Sequence, residues 1–437
     1  MIERKNYTKE QLLALRNKTG PIAQREKKLA YFMLAPTIFV VLIMVLLPVL
    51  SNFWVSAKEI GLSELRQAKP VLKIKSAGTL EKVGDSLAIE LQLRSIPPTK
   101  LVEDVILSLQ IPAGLTATNI DSHCLVTNNN LTCKVAELVP RKRLKLPLQL
   151  VASQQYLDSP IESFRKLPYT LTGDAENALT SFNFSFANFE KIFSRDDFYD
   201  ILWVSFIYTV FGTGGALVLG LFAALLLNTS FKGRTIMRGL LLFPYVSPVI
   251  AVAFTWVFLF DPFSGAVNSL LIVNGVINEP INFFGSEHVN LQFLGMTWQF
   301  PLALTSVIVF EAWRYFPLAF LFILARIQSL SSDMYEAADM DGATPLQKFW
   351  HISMPQLVGI LSTLFLLRFI WTFNKFDDIF LLTGGASGTR TLTVDVYEQG
   401  FALSNLGLGA AVAVVIFFVL AIFVTLYFRF SPKEEGM

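Results

Sequence analysis

Residues 335–342 read Tyr335-Glu336-Ala337-Ala338-Asp339-Met340-Asp341-Gly342, and Ile352-Ser353-Met354-Pro355 follows after nine intervening residues. The stretch is a polar loop between two apolar runs of membrane-spanning length. Asp333 with Glu336 three residues on forms a capping-box-like start, which predicts a short helix from near Met334 to Gly342. Thr344 before Pro345 supplies an N-cap and a first helical position. That predicts a second short helix through Phe349, ending before Pro355. Two short helices meeting at a bend make a knuckle, with Tyr335, Ala337, Ala338 and Met340 available to a groove on a soluble partner. The plainer alternative is an amphipathic loop helix between spans.

Working outward, the chain reads as an integral membrane protein. It is 53% hydrophobic and only 16% charged, with a mean hydropathy of +0.51, whereas soluble domains carry about 25% charged residues. A net charge of +2 is too small to point to nucleic acid. Stretches of about 20 residues or more with little or no charge fall at Leu29–Leu50, Ile201–Leu227, Gly239–Phe260, Met296–Ala325, Leu357–Phe376 and Leu406–Phe428. This predicts six transmembrane helices, the first being residues 29–56 with its flank.

The charges orient them. Arg4, Lys5, Lys9, Arg16, Lys18, Arg25, Lys27 and Lys28 precede the first span in a basic tail, residues 1–28. Lys232, Arg234 and Arg238 mark the next inner loop, and Arg326 and Lys348 the third, while 261–295 has no Lys or Arg. By the positive-inside rule both termini, including the tail 431–437, are cytoplasmic. The first span is too long for a cleaved leader and lacks a small-x-small cleavage site, so it reads as a retained anchor.

Residues 60–185 change texture. Val71–Ser76, Ser86–Arg94, Val102–Gln110 and Leu144–Val151 alternate apolar and polar residues, with Pro97-Pro98, Pro112-Ala113-Gly114 and Asn128–Asn130 as punctuation. The expectation is a small β-sandwich outside the cytoplasm. Both cysteines, Cys124 and Cys133, fall inside it. In an oxidising compartment they are expected to close a short hairpin as a disulfide, with two free thiols as the alternative. Two sulfurs and one adjacent histidine, His123, do not make a zinc site, and His288 and His351 lie elsewhere in the topology. From Val83-Gly84-Asp85-Ser86 through Ile111-Pro112-Ala113-Gly114-Leu115 to the cysteines, the insert resembles an immunoglobulin-like repeat of bacterial surface proteins.

The loop from Tyr335 to Pro355 resembles the segment by which permease subunits of ATP-binding-cassette importers dock their ATPase; Met354 stands where that family usually has Leu. From Phe186-Ala187-Asn188-Phe189 onward the resemblance is continuous over 186–430 and includes the first span. Leu227-Asn228-Thr229-Ser230-Phe231-Lys232-Gly233-Arg234, Phe243-Pro244-Tyr245, Trp313-Arg314-Tyr315-Phe316-Pro317 and Leu382-Thr383-Gly384-Gly385 look like the carbohydrate-uptake class, within it the maltose-type subunit. The resemblance implies an ATPase-docking loop over 331–355, with Tyr335, Glu336, Ala337, Ala338, Asp341, Gly342, Ile352 and Pro355 as contacts. It also implies partners: paired ATPase subunits that bind ATP and Mg, a second permease, an extracytoplasmic solute-binding protein and the lipid bilayer. The chain lacks the maltose subunit's additional N-terminal membrane hairpin, and its insert is shorter.

Ionisable groups within spans are costly and usually face a cavity or a partner, which singles out Glu311, Arg314 and Arg368. At 1.5 Å per residue Arg368 lies ~16 Å from Leu357 and Glu311 ~22 Å from Met296, so the two can meet at mid-depth. The resemblance carries a solute path onto Glu311, Arg314, Tyr315 and Leu318, and onto Arg368, Trp371, Thr372 and Lys375. A Glu311–Arg368 or Glu311–Arg314 ion pair that only fixes packing is the alternative. Lys375 and Asp378 are read as interfacial. Gly212-Thr213-Gly214-Gly215 and Gly384-Gly385-Ala386-Ser387-Gly388 lack the Gly-Lys-Ser/Thr of a nucleotide loop, so ATP hydrolysis, a cofactor and a catalytic residue are not expected in this chain; the first cluster suits close helix packing. Import of another solute such as a glycerol phosphate, held by Arg314 and Arg368, is a second reading. A membrane-anchored sensing or adhesion protein is a third.

Overall fold

The computed structural model describes residues 21–430 except 66, 162, 178, 294 and 295. The predicted tails, most of 1–28 and all of 431–437, lie outside the described residues, though Arg25, Lys27 and Lys28 are within helix α1. That helix runs Pro21–Val41, passes through a π-turn at Leu42–Leu46 and continues Leu47–Ser56. Its apolar section is Lys27–Ser56. Contacts divide the chain into two units, Met1–Val55 and Ser56–Met437, and the remainder of the description concerns the second.

Eight strands follow: β1 Lys69–Ala77, β2 Ser86–Ile96, β3 Val102–Gln110, β4 Leu115–Thr118, β5 Cys124–Thr127, β6 Asn130–Leu138, β7 Leu144–Ala152 and β8 Tyr169–Asp174. They form two antiparallel four-stranded sheets, ordered β1-β2-β7-β4 and β5-β6-β3-β8. The alternation seen in sequence is the cause. Leu87, Ile89, Leu91 and Leu93 of β2, Leu107 and Leu109 of β3 and Leu146, Leu148 and Leu150 of β7 all enter one buried cluster, each worth about 1.5–3 kcal/mol for full burial. Strands β4, β5, β6 and β8 were not singled out in the sequence; β4 and β5 have four residues each, too few to show a period. Cys124 stands opposite Cys133 across β5 and β6, with the two sulfurs 2.03 Å apart.

The chain then returns to helices. Helix α2 is Ala187–Phe193, and α3, Phe198–Asn228, spans 31 residues. The third expected span is not one rod. It breaks into α4 Arg234–Leu241, α5 Phe243–Val246 and α6 Val249–Leu259, with a 92° bend between 246 and 249. The break is built by Pro248, which has no N–H, and by Ser247 before it, whose ψ of 144° is extended. After helix α7, Ala266–Val273, comes a second correction: Met296–Pro301 is not helix but strand β10, paired with β9 His288–Phe293. Helix α8, Leu302–Gln328, starts only beyond Pro301. Among the described residues, five helices are long and apolar enough to cross a membrane, or six if the bent pair is one span.

Helices α3 and α8 form the closest helical pair, and the glycines explain why. A Cβ at Gly212 would meet Glu311 Cγ at 2.8 Å, one at Gly215 would meet Ala312 Cβ at 2.9 Å, and one at Gly220 would meet Ala319 Cβ at 2.7 Å and Phe320 N at 2.8 Å. Gly214 faces open space. The missing side chains let the two backbones approach, as small residues do in bilayers. Replacing Gly220 by Val should therefore lower the stability of the purified protein in detergent by about 1–3 kcal/mol through overpacking, read as a drop in its thermal midpoint, while Gly214→Val should leave the midpoint unmoved. Equal effects of the two would show that this contact does not set the packing.

Candidate functional site

Between α8 and the next span the chain turns back through helices α9, Ser332–Met340, and α10, Pro345–Lys348. The α9 cap is Ser331, whose Oγ accepts from Asp333 N at 3.2 Å, so the helix starts earlier than the Asp333/Glu336 pattern predicts. A Ser with extended backbone, ψ 133°, is an ordinary N-cap, and Asp333 then sits in the first turn, where its charge suits the helix dipole. Gly342 stops α9 with φ +74°, a conformation that costs glycine little. Thr344 and Gln347 complete a full capping box on α10, Pro345 being the first helical residue.

The second helix does not end before Pro355, contrary to expectation. A π-turn at Phe349–Ser353 carries it into helix α11, Met354–Phe373. Met354 N reaches back five residues to Phe349 O, so the one-residue surplus of the π-turn absorbs the disturbance at a proline that has no N–H to give. Two side-chain contacts stiffen the bend: Tyr335 Oη with Ser353 Oγ at 2.9 Å, and Lys348 Nζ with Asp339 Oδ1 at 2.5 Å. Tyr335 is thereby half-buried, an internal brace, while Glu336, Ala337, Asp341, Gly342 and Pro355 are exposed and Ala338 and Ile352 half-exposed. Met340 is 89% exposed at the tip. At the root, Arg326 on α8 donates from Nε to Gln356 O at 3.2 Å and from Nη2 to Gln356 Oε1 at 3.3 Å, joining the inner ends of α8 and α11.

Nearer the outer end the same two helices carry a buried polar cluster. Glu311 is 0% and Arg368 2% exposed. Arg368 Nη2 donates to Glu311 Oε1 and to Thr372 Oγ1 at 3.0 Å, and Thr372 Oγ1 donates to Glu311 Oε1 at 2.9 Å. The other carboxylate oxygen accepts from Tyr208 Oη of α3 at 3.1 Å. Because α8 begins at Leu302 rather than Met296, Glu311 lies ~14 Å inside its outer end, shallower than the sequence count gave.

Beside this pair stands Tyr315, with Arg368 Cζ 4.1 Å, Lys375 Nζ 4.5 Å and Arg314 Cζ 5.5 Å from its ring centre. Lys375 also donates to its hydroxyl. Arg314 Nη2 donates to Ser247 O at 3.2 Å, the carbonyl freed at the break of the third span. Asp378, on helix α12 Asp377–Thr383, is fully buried rather than interfacial; Arg314 Nε lies 3.9 Å and Lys375 Nζ 3.8 Å from its carboxylate. Lys375 itself keeps 18% of its side chain exposed. Of the sequence candidates, Glu311, Arg314, Tyr315, Arg368, Thr372 and Lys375 come together. Leu318 is half-buried one turn further along α8, and Trp371 points away on an exposed stripe with Leu367 and Asn374. Sequence reading missed Tyr208, whose hydroxyl in a long apolar helix was the available signal, and misplaced Asp378.

A family model described as "binding-protein-dependent transport system inner membrane component" matches residues 216–434. The inner membrane ABC transporter permease protein YcjO of Escherichia coli is 36% identical over 234 residues, 54% of this chain and 75% of that one. The trehalose/maltose transport system permease protein MalF of Thermococcus litoralis is 29% identical over 244 residues, 55% and 77% respectively. Among solved structures, a bacterial ABC transporter involved in import of the acidic polysaccharide alginate shares the fold at TM-score 0.50 and 20% identity, covering 58% of this chain and 87% of that one. The chain belongs to the family of binding-protein-dependent transport system inner membrane components and is a multi-pass permease subunit of an ABC importer.

The Glu311–Arg368 pair makes a measurable demand. Removing either partner leaves a buried charge, so Glu311→Ala and Arg368→Ala should each lose about 3–5 kcal/mol of stability, and the double variant should lose less than either single one. Thermal unfolding of the three purified variants checks this. Additive losses would mean that the pair is not the unit that holds α8 to α11.

Proposed function

We propose that this chain is the membrane-spanning path of an ATP-driven, binding-protein-dependent importer of a sugar or oligosaccharide, and that the knuckle formed by α9 and α10 receives the motion of a partner ATPase. The carrying observation is the knuckle itself: two separately capped short helices, braced by Tyr335–Ser353 and Lys348–Asp339, exposing Glu336, Asp341 and Met340 between the inner ends of two long helices. An exposed, stiff protrusion suits insertion into a groove. ATP and Mg belong, in this reading, to the partner ATPase subunits, and both termini and the knuckle face the cytoplasm.

The names carried by the relatives, trehalose/maltose transport and alginate import, support a saccharide. So does the chemistry near Tyr315, where an aromatic face and an accessible ammonium adjoin hydrogen-bonding groups. We divide the roles among these residues as follows from their hydrogen bonds and exposure. Glu311, Arg368 and Thr372 satisfy one another and act as packing; Tyr315 and Lys375 border the solute path; Leu318 and the exposed Trp371 contribute to it where a second permease covers them. A glycerol phosphate held by Arg314 and Arg368 fits less well, since both guanidinium groups are already engaged by Ser247 O and Glu311. We read the two-sheet insert as an immunoglobulin-like sandwich on the extracytoplasmic side, its disulfide at home in that oxidising compartment.

Glu336→Ala, or Gly342→Val, which forces a β-branched residue to positive φ, should reach the membrane in normal amount yet lose most ATP-dependent uptake. Co-purification of the ATPase with the variant should fall in parallel. Undiminished uptake with both variants would end the docking assignment.

A further inference from the structure

The insert is not loosely tethered. Gly407 N donates to Ile60 O at 2.9 Å and Leu62 N to Ser404 O at 2.8 Å, where helix α14, Leu406–Phe430, begins after the short helix α13, Leu392–Tyr397. That helix is apolar throughout its spanning window, so Ile60–Leu62 sits at the outer boundary of the bilayer. Two residues on, Glu64 accepts from Thr99 Oγ1 at 2.8 Å and lies 3.9 Å from Lys100 Nζ. Arg141 N in turn donates to Pro98 O at 2.6 Å. Three successive links thus carry from the outer end of a spanning helix to the β6–β7 loop.

What gathers there is basic and apolar. Lys69, Arg94, Arg141, Lys142 and Arg143 are all exposed. In the sheet Lys69 stands opposite Ile96 and Arg94 opposite Val71, and Arg143 directly precedes Leu144, the partner of Leu93. Among the described residues Arg94, Arg141, Lys142 and Arg143 make no ion pair. Leu62, Leu65, Ile96, Leu101 and Val139 at the same end are exposed by 37–45%. Of the acidic residues of this end, Glu103, Glu137 and Asp174 face one another on the other sheet with Asp104 beside them, Glu64 is engaged by Thr99 and Lys100, Glu59 pairs with Lys191, and Glu176 lines the recess beside Lys58 and Lys100.

We propose that this end of the insert is a membrane clamp: the face bearing Lys69, Arg94 and Arg141–Arg143 docks on anionic phospholipid headgroups of the outer leaflet, with the apolar side chains entering the interface. Unpaired cations interleaved with apolar groups are the composition of an interfacial contact. Anionic headgroups attract such cations within a Debye length, about 8 Å at physiological salt. Continuity with the start of α14 favours the bilayer over a soluble acidic partner. The clamp would hold the insert at a fixed height over the solute entrance.

The test uses the full chain in nanodiscs of phosphatidylcholine alone or mixed with phosphatidylglycerol, reading amide hydrogen exchange across 139–143. Exchange should slow with the anionic lipid and recover at high salt. In the Arg141→Ser/Lys142→Ser/Arg143→Ser variant the protection should fall on the order of tenfold or more, while strand Leu144–Ala152 stays protected as the control for folding. Equal exchange in both lipids would overturn the proposal. So would protection that appears in neutral nanodiscs only when a solute-binding protein is added, since that would make the partner a protein.

Discussion

A carboxylate buried in an apolar bundle must be satisfied on every side, and in this protein the carboxylate of Glu311 sets the geometry around it. It accepts from Arg368 and Thr372 on α11 and from Tyr208 on α3, so three helices meet at one residue. Gly212 makes the room, since any side chain there would strike Glu311 Cγ. Hydrophobic burial does not discriminate among rotations or axial slips of helices in lipid, because the tails are as apolar as the helix faces. A slip of either neighbour would strand a charge, so the network fixes both rotation and register.

How much of this could be read from sequence depended on how local the cause was. Gly342 as a stop, Thr344-Pro345 as a start and the alternation of β2, β3 and β7 all act through residues within a few positions, and each element is where its local signal put it. The misses share a different origin. Apolar content is the same whether a segment is straight helix, bent helix or strand, so the break at Ser247-Pro248 and the strand Met296–Pro301 were absorbed into spans. Pro248 and Pro301 were the signals, and each outweighed the hydropathy of its neighbourhood.

The candidate site shows the same division. Spacing along α8 and α11 was enough to bring Glu311 and Arg368 together, but it could not say which third element would close over them. Asp378 is buried because α12 folds back after α11 and meets α6 and α8, a tertiary event with no periodic trace. Tyr208 belongs to a helix whose apolar residues run all round, so no face was marked in advance.

The two ends of α8 and α11 are mechanically joined. Arg326 ties their inner ends through Gln356, and Glu311 ties them again toward the outside, ~22 Å away along α8. With both ends fixed, a push on the knuckle moves the pair as one body rather than sliding one helix past the other. The third span, bent at Ser247-Pro248, is held to α8 by the Arg314 hydrogen bond to Ser247 O, by the contacts of α5 and by Trp256 of α6 packing on Phe310 and Trp313. In the function proposed above, a rigid pair beside a broken span lets displacement at the knuckle change access near Tyr315 and Lys375, because the break at Ser247 and the Tyr245 ring lie beside those residues.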